Sequence, residues 1–288
     1  MTAFRFAVGD LSVAAVNDGI SAFPAPMVFG NAPADERDRA LQESGLPAGD
    51  GRSSLTSLVI DSGRRRVLID TGIGPYTPDT GKLLIQLRES GIEPESIETV
   101  ILTHGHPDHI GGTVDAEGRV AFPNAEYVMR AGEWAFWTDE VVLDKAARGE
   151  LHGLGDMDRF MAQWARTYLP PIRDRLRLIE GRDEEEIAPG IFALPAPGHT
   201  THHMGLVLTS GGQRLFSPTD VAINPLHLTH PGWHPAFDYD PQQALETKRR
   251  LYDRLADDHE RVFVYHFPFP GLGYVEHFGD GWRWTPER

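Results

Sequence analysis

The segment from position 103 to position 109 brings four potential metal ligands into six consecutive residues. It reads Thr103-His104-Gly105-His106-Pro107-Asp108-His109. Imidazole and carboxylate groups are costly to bury unpaired, so this density is typical of a metal site and not of core packing. In an extended loop, His104 and His106 point the same way and can bind one ion, while the kink at Pro107 turns Asp108 and His109 toward a second. These ligands suit zinc, iron or manganese and do not choose between them.

Three more ligand-type residues follow far along the chain, each at the end of a predicted strand. His199 lies in Pro197-Gly198-His199-Thr200, and Asp220 and His266 follow two later strands. The order His-x-His-x-Asp-His, then Gly-His, then Asp, then His resembles the pattern of the metallo-β-lactamase superfamily, from about residue 54 to residue 266. The resemblance implies an α/β fold, a four-layer αβ/βα sandwich in which helices flank two mixed β-sheets.

Carried over position by position, the resemblance implies a dinuclear site with seven ligands. The residues implied for the first ion are His104, His106 and His199. Those implied for the second ion are Asp108, His109 and His266, with Asp220 bridging the two ions.

Two positions near these ligands concern how the site is supported. Asp70, in Leu68-Ile69-Asp70-Thr71-Gly72, resembles the family's buried aspartate, which holds the metal loop from behind the ligands. A plain turn-capping role for Asp70 is the alternative. The family usually has glycine before the bridging aspartate, whereas this chain has Thr219, so we expect a small change in loop geometry there.

The region around the last histidine indicates a branch of the family. The run Tyr265-His266-Phe267-Pro268-Phe269-Pro270-Gly271 resembles the corresponding segment of methyl parathion hydrolases and lactonase-like metallohydrolases. Aromatic and proline residues around a ligand predict an apolar wall beside the ions. Acyl-homoserine lactonases of this fold often carry tyrosine three residues after the bridging aspartate. This chain has Ile223 there, which counts against lactonase activity of that particular type.

The activity that the resemblance implies is that of a metal-dependent hydrolase with two divalent ions. Zinc is the first choice, with iron or manganese as alternatives. Two ions roughly 3.5–4 Å apart lower the pKa of a shared water and produce a bridging hydroxide. The hydroxide would attack a small ester, lactone or phosphotriester, with Asp108 as the candidate catalytic residue for proton transfer. Two alternatives stay open: a persulfide dioxygenase-like oxidoreductase with a single iron, and a glyoxalase-II-like thioester hydrolase.

Composition narrows the classes of partner. Of 288 residues, 42 are acidic and 27 basic, and the net charge of −15 argues against nucleic acid. The chain has no cysteine, which excludes thiolate ligands and cysteine nucleophiles. No apolar run approaches the roughly 20 residues of a membrane span, and positions 1–6 do not resemble a signal peptide. We expect a cytoplasmic enzyme that acts on a small molecule without a membrane partner, with a homodimer left open.

The elements that must position the ligands alternate between strands and helices, as in a mixed α/β domain. Residues 1–288 are predicted to form one domain with a helical insert at about 131–170. Asp240 and Pro241 predict a helix that runs to about Asp257. Residues 261–265 are predicted to form the last clear strand.

Two further patterns concern symmetry and substrate. The hairpins that begin at residues 58–63 and 206–211 read alike, and each runs into an aspartate, which hints at two related halves. The loop 223–235 follows the predicted bridging aspartate, so His227 and Trp233 are candidate substrate contacts. Phe267, next to the last ligand, is a third candidate. The alternative for the loop histidines is an ordinary surface position.

Overall fold

The computed structural model describes residues 3–181 and 184–287. Met1, Thr2, Arg182, Asp183 and Arg288 lie outside the described residues. The interpretation of positions 1–6 as lacking a signal peptide therefore falls partly outside them. Within the two described ranges, no helix is both long enough and apolar enough to cross a membrane.

Two seven-stranded sheets form the centre of the fold, and within each sheet the strands lie side by side in chain order. The first sheet contains β1 (Ala3–Val8), β2 (Leu11–Pro24), β3 (Asp50–Asp61), β4 (Arg66–Ile69), β5 (Thr99–Ile101), β6 (Glu126–Arg130) and β7 (Leu176–Ile179). The second contains β8 (Glu185–Ala188), β9 (Ile191–Pro195), β10 (Met204–Ser210), β11 (Gln213–Ser217), β12 (Arg261–Phe263), β13 (Leu272–Phe278) and β14 (Gly281–Pro286). Both sheets are mixed, because strands β4 to β7 run parallel and so do β11 and β12.

The helices connect the strands and cover the sheets. In the described part of the chain they are α1 (Ala25–Val28), α2 (Ala34–Glu43), α3 (Leu83–Glu89), α4 (Pro107–Ile110), α5 (Ala131–Thr138), α6 (Glu140–Ala147), α7 (Asp156–Tyr168), α8 (Leu226–Thr229) and α9 (Pro241–Asp257). Short 3-10 helices occur at Pro94–Ser96, Pro170–Arg175 and Thr219–Val221.

The buried apolar residues show how the layers stack. One cluster joins the facing sides of the two sheets, with Leu58 and Ile101 on one side and Leu206 and Phe263 on the other. A second cluster packs α3 and the insert helices α5 to α7 against the outer face of the first sheet. A third packs α9 against the outer face of the second sheet. The predicted fold, two mixed sheets flanked by helices, is confirmed.

Helix α9 follows the sequence signals closely. The Asp240 side chain accepts a hydrogen bond from the backbone N–H of Gln243 at 3.0 Å, and Pro241 is the first helical residue. The prediction that residues 261–265 form the last clear strand was wrong, because β13 and β14 follow and pair with each other and with β12. Their exposed positions carry charged and aromatic residues, so the apolar alternation of a strand is weak there.

The two similar hairpins occupy corresponding places. Counted from β1 in the first sheet and from β8 in the second, the β3–β4 and β10–β11 pairs are the third and fourth strands. Asp70 directly follows β4, and Asp220 lies three residues after β11. Both aspartates therefore emerge from the middle of a sheet, at the end where parallel neighbours also finish.

Candidate metal centre

The candidate ligands lie on loops that leave four central strands. His104 and His106 follow β5, and α4 then carries the next two candidates. His199 follows β9, Asp220 lies in the 3-10 helix after β11, and His266 follows β12. Because the parallel strands of each sheet end at the same edge, these loops converge between the two sheets.

The first cluster consists of His104, His106 and His199. Their candidate ligand atoms all lie within 4.8 Å of one another, and all three side chains are buried. The Nδ1 atom of His106 and the Nε2 atom of His199 are 2.9 Å apart. Two ring nitrogens at this separation can face one ion or, in its absence, share one proton.

The second cluster consists of Asp108, His109 and His266, again with ligand atoms within 4.8 Å of one another. The Oδ2 atom of Asp108 lies 3.3 Å from Nε2 of His266 and 3.8 Å from Nε2 of His109. The three donors thus surround a small space next to the first cluster.

The carboxylate of Asp220 stands between the two clusters. Its Oδ2 atom is 2.9 Å from Nε2 of His266 and 3.3 Å from Nε2 of His109, in the second cluster. The same oxygen is 3.5 Å from Nε2 of His199 and 4.0 Å from Nε2 of His104, in the first cluster. One oxygen therefore reaches nitrogens of both clusters.

Unpartnered buried atoms test whether these residues fit metal ions. The Nε2 atoms of His104 and His109 and the Oδ1 atom of Asp220 are buried and have no hydrogen-bond partner. A buried polar atom without a partner costs about 1–3 kcal/mol. Nitrogen and carboxylate oxygen donors at such short separations are the set that divalent ions such as zinc take in proteins. The residues fit a pair of divalent ions.

The pKa values of the cluster follow from burial and from neighbouring charges. Burial, reinforced by the surrounding imidazoles, lowers the pKa of His104 and His106 well below the usual range. Burial also opposes the charged forms of His109 and His266, but the carboxylate of Asp220 and its neighbours outweigh it and raise both pKa values. Burial likewise opposes ionisation of Asp220, yet His266 and His109 hold its pKa well below the usual range, so it is anionic.

His203 lies close enough to form another group with His104 and Asp220. Both of its ring nitrogens are already engaged: Nδ1 is 2.8 Å from the backbone oxygen of Ala196, and Nε2 is 2.5 Å from Oγ1 of Thr219. Burial lowers its pKa to about 3, so the ring is neutral at ordinary pH. His203 therefore supports the loop that carries Asp220.

Thr219 has a backbone φ of 49°, a left-handed conformation that glycine adopts more easily. This conformation explains in physical terms why glycine suits the position. The hydroxyl of Thr219 contacts His203, an interaction that glycine could not make.

Asp70 is completely buried behind the second cluster. Its carboxylate accepts hydrogen bonds from the backbone N–H of Thr103 at 2.9 Å, from the Thr103 hydroxyl at 2.9 Å and from Nδ1 of His109 at 2.8 Å. A proton on Nδ1 leaves the Nε2 lone pair of His109 free to face the cluster, which is the usual arrangement behind a metal-binding histidine.

Sequence reasoning missed three supporting residues. Asp238 lies 2.7 Å from Nδ1 of His199 and orients that ring as Asp70 orients His109. The hydroxyl of Tyr265 donates to the backbone oxygen of Asp108 at 2.6 Å. Glu133, buried on α5, contacts two of the ligand loops. None of the three has a local motif, since each is distant in sequence from the group it supports.

A cavity opens beside the clusters. Its apolar lining comes from β2, α1, α7 and the loops after Asp220. The apolar lining residues are Phe23, Val28, Met157, Phe160, Met161, Ile223 and Phe237. The cavity also exposes His106, Asp108, Asp220 and His266, so a small molecule bound in it would touch both clusters.

None of the three candidate substrate contacts lines this cavity. His227 is fully buried, with Nε2 3.0 Å from the backbone oxygen of Val28. Trp233 packs edge-on against Phe29, and Phe267 packs against Trp284 in the outer core of the second sheet. The loop after Asp220 folds back onto α1, so the side chains of His227 and Trp233 lie in the core behind the cavity wall.

The model of the metallo-β-lactamase superfamily matches residues 50–266 of this chain. The chain therefore belongs to the metallo-β-lactamase superfamily, as its motif predicted. The family and the His/Asp clusters together support a metal-dependent hydrolase.

Individual relatives extend this comparison. The β-lactamase-like protein 2 homologue of Drosophila melanogaster is 28% identical over 158 residues, 53% of this chain and 42% of that protein, so the chain spans less than half of that relative. An N-acyl homoserine lactonase of Bacillus thuringiensis is 22% identical over 199 residues, 69% of this chain and 67% of that protein. The solved structure of AidC, a dizinc quorum-quenching lactonase, matches with a TM-score of 0.88 at 24% identity and covers 99% of this chain and 97% of its own. That likeness shows a shared fold.

Proposed function

We propose that this protein is a dinuclear metal-dependent hydrolase that cleaves a small, uncharged ester, lactone or phosphotriester. The observation that carries the proposal is the position of Asp220, whose Oδ2 atom lies within 4.0 Å of nitrogens from both clusters. A carboxylate so placed is suited to bridge two ions. Zinc is the first candidate, because the donors are imidazole and carboxylate groups and AidC is described as a dizinc enzyme.

When bound, two such ions would supply a nucleophile from water and polarise the carbonyl or phosphoryl oxygen of the substrate. The protein's own residues orient the donors. Asp70 and Asp238 fix the rings of His109 and His199, and Tyr265 fixes the backbone of Asp108. The donors are therefore held in place before substrate arrives, which reduces the reorganisation needed during reaction.

Asp108 is the proposed residue for proton transfer. Its side chain is 14% exposed, whereas that of Asp220 is 3% exposed, and it lines the cavity directly. A carboxylate at the boundary between the clusters and the cavity can accept a proton from the attacking water and donate it to the leaving group.

The cavity indicates the class of substrate. Its wall is built from aliphatic, methionine and phenylalanine side chains, and among the described residues no lysine or arginine lines it. An anionic group such as the glutathione part of a thioester would find no cationic partner there. The lining favours an uncharged substrate with an apolar arm, such as a lipophilic ester, lactone or triester.

Elemental analysis of the purified chain, paired with hydrolysis assays, tests the proposal. The assays use an aryl ester, a lactone and methyl parathion, before and after treatment with a chelator and after readdition of zinc. We expect two zinc ions per chain and hydrolysis that the chelator abolishes and zinc restores. A single iron per chain without hydrolysis of any of these substrates would overturn the proposal in favour of a dioxygenase-like oxidoreductase.

A further inference from the structure

The carboxylate of Glu133 is completely buried on the first turn of α5, where the helical insert begins. The Oε1 atom accepts a hydrogen bond from the backbone N–H of Gly105 at 3.0 Å, and Gly105 lies between two candidate ligands. The Oε2 atom accepts from the Thr200 hydroxyl at 2.7 Å, and Thr200 directly follows His199. Each oxygen of one carboxylate therefore holds a different ligand loop.

Two further donors complete the surroundings of this carboxylate. The indole N–H of Trp137 donates to Oε1 at 2.8 Å, and the backbone N–H of His202 donates to Oε2 at 3.2 Å. All four donors are uncharged groups. Burial of a carboxylate costs free energy unless the group is well hydrogen-bonded. The buried position of Glu133 therefore indicates a specific structural role.

Trp137 adds a steric constraint to the same place. Its indole lies so close to Gly105 that any side chain at position 105 would overlap the ring. The indole also packs edge-on against the ring of His106, with 5.7 Å between centroids. Helix α5 thus fixes the first ligand loop both by a hydrogen bond and by contact.

We infer that Glu133 is a positioning residue that sets the spacing of the first cluster by bracketing its two loops. The loop of His104 and His106 comes from the first sheet, and the loop of His199 comes from the second. Glu133 joins them, and the facing nitrogens of His106 and His199 are 2.9 Å apart. The inference rests on the proposed dinuclear site, and it makes the helical insert part of that site.

The bracket acts on one cluster only. The second cluster is supported from behind by Asp70 and Tyr265, neither of which hydrogen-bonds to Glu133. Loss of the hydrogen bonds to Glu133 should therefore weaken binding of the ion at the first cluster and leave the ion of the second cluster in place. A general loss of structure would affect both ions together.

The test measures zinc retained per chain, and the apparent zinc affinity of each site, in competition with a soluble chelator. Glu133→Gln keeps the size of the side chain but places an NH₂ group against two of the four donors. We expect it to lower affinity for one ion by roughly 10- to 100-fold, the range found for groups that orient metal ligands. At a chelator concentration where the parent keeps two ions, the variant should keep one.

A second pair of variants covers the case in which Glu133→Gln does not fold. Thr200→Val removes one hydrogen-bond donor to Glu133. It should lower the affinity for the same ion, by less than Glu133→Gln does. Thr200→Ser restores the hydroxyl and should restore affinity. Thr138→Val is the matched control, because it removes a hydroxyl of α5 that donates to the backbone oxygen of Trp134 and not to Glu133. We expect its zinc affinities to equal those of the parent.

The outcomes separate the inference from the proposed function. A parent chain that binds fewer than two zinc ions contradicts the proposed function. A parent with two ions, together with Glu133→Gln and Thr200→Val variants that retain both at parental affinity, overturns the bracket alone. Loss of both ions in step would also overturn it, since the effect would then not be confined to the first cluster.

Discussion

Asp70 and Asp220 occupy corresponding places in the two sheets, yet their carboxylates have opposite surroundings. Both follow the fourth strand of their sheet, and both are buried. The carboxylate of Asp70 is saturated by donors from Thr103 and His109. The carboxylate of Asp220 has one oxygen without a partner and the other facing four imidazole nitrogens.

This difference shows how one position in two related hairpins can serve two purposes. In the first sheet the protein itself satisfies the charge, so Asp70 is suited to hold a histidine in a fixed orientation. In the second sheet the charge is left open toward the clusters, so Asp220 is suited to meet ions. The comparison predicts that substitution of Asp220 and substitution of Asp70 have different effects on metal binding and turnover.

The largest effect is expected for Asp220→Asn. The amide is neutral, so its oxygen binds a pair of divalent ions much more weakly than the carboxylate would. We expect turnover to fall by more than the roughly 100-fold that marks the upper end for groups acting behind a ligand. Zinc content should fall below two per chain, measured by elemental analysis beside the rate of ester hydrolysis. If Asp220→Asn keeps two ions and the turnover of the parent, the two aspartates do not differ in the way that the comparison predicts.

A smaller effect is expected for Asp70→Asn. One of the amide's two terminal groups is an NH₂, which cannot accept from the hydroxyl and N–H donors that now share the carboxylate. His109 then loses its fixed orientation. We expect a fall of about 10- to 100-fold in zinc affinity, confined to the second cluster. Chelator competition provides the measurement, and a loss as complete as that in Asp220→Asn would contradict the comparison.

The smallest expected effect is a loss of folding stability in acid. Burial lowers the pKa of His203 to about 3, from the roughly 6.5 of an unperturbed histidine. Folding therefore excludes a proton that the unfolded chain binds. The stability contributed by neutral His203 is fully present above pH 6.5 and is lost as pH falls toward 3. Between pH 7.5 and pH 5 the loss from this group is about 2 kcal/mol.

His203→Gln keeps a donor and an acceptor but does not titrate in this range. We expect the metal-free variant to lose about 2 kcal/mol less unfolding free energy than the metal-free parent over the same interval. Urea unfolding at the two pH values in the presence of a chelator measures this. Equal losses of unfolding free energy in the two proteins would show that protonation of His203, which supports the Asp220 loop, does not cause the loss of stability in acid.

The sequence carried much of the fold because several signals were local. Asp240 and Pro241 determine where α9 begins, and a cap of this kind depends only on neighbouring residues. The strands β13 and β14 were missed, since the charged and aromatic residues at their exposed positions obscure the alternation of a half-buried strand. The superfamily motif was similarly local, because four candidate ligands stand within one short loop.

The residues around the ligands were harder to predict. Asp238 and Glu133 support loops far away in sequence, and a single acidic residue in a loop or helix is most often a surface residue. The cavity wall posed the same difficulty, because Phe23, Val28 and Met157 meet only after both sheets have assembled. Trp233 was expected in the wall from its closeness to Asp220 in sequence, but packing against Phe29 takes it into the core.

The division of the site between the two sheets has a consequence for assembly. Four of the proposed ligands follow β5 and three follow strands of the second sheet, so neither half carries a complete set for either ion. Each ion would then be bound by residues from both halves, and its binding free energy would contribute to holding the halves together. A chain divided between β7 and β8 would yield two fragments whose reassembly depends on the supply of metal ions.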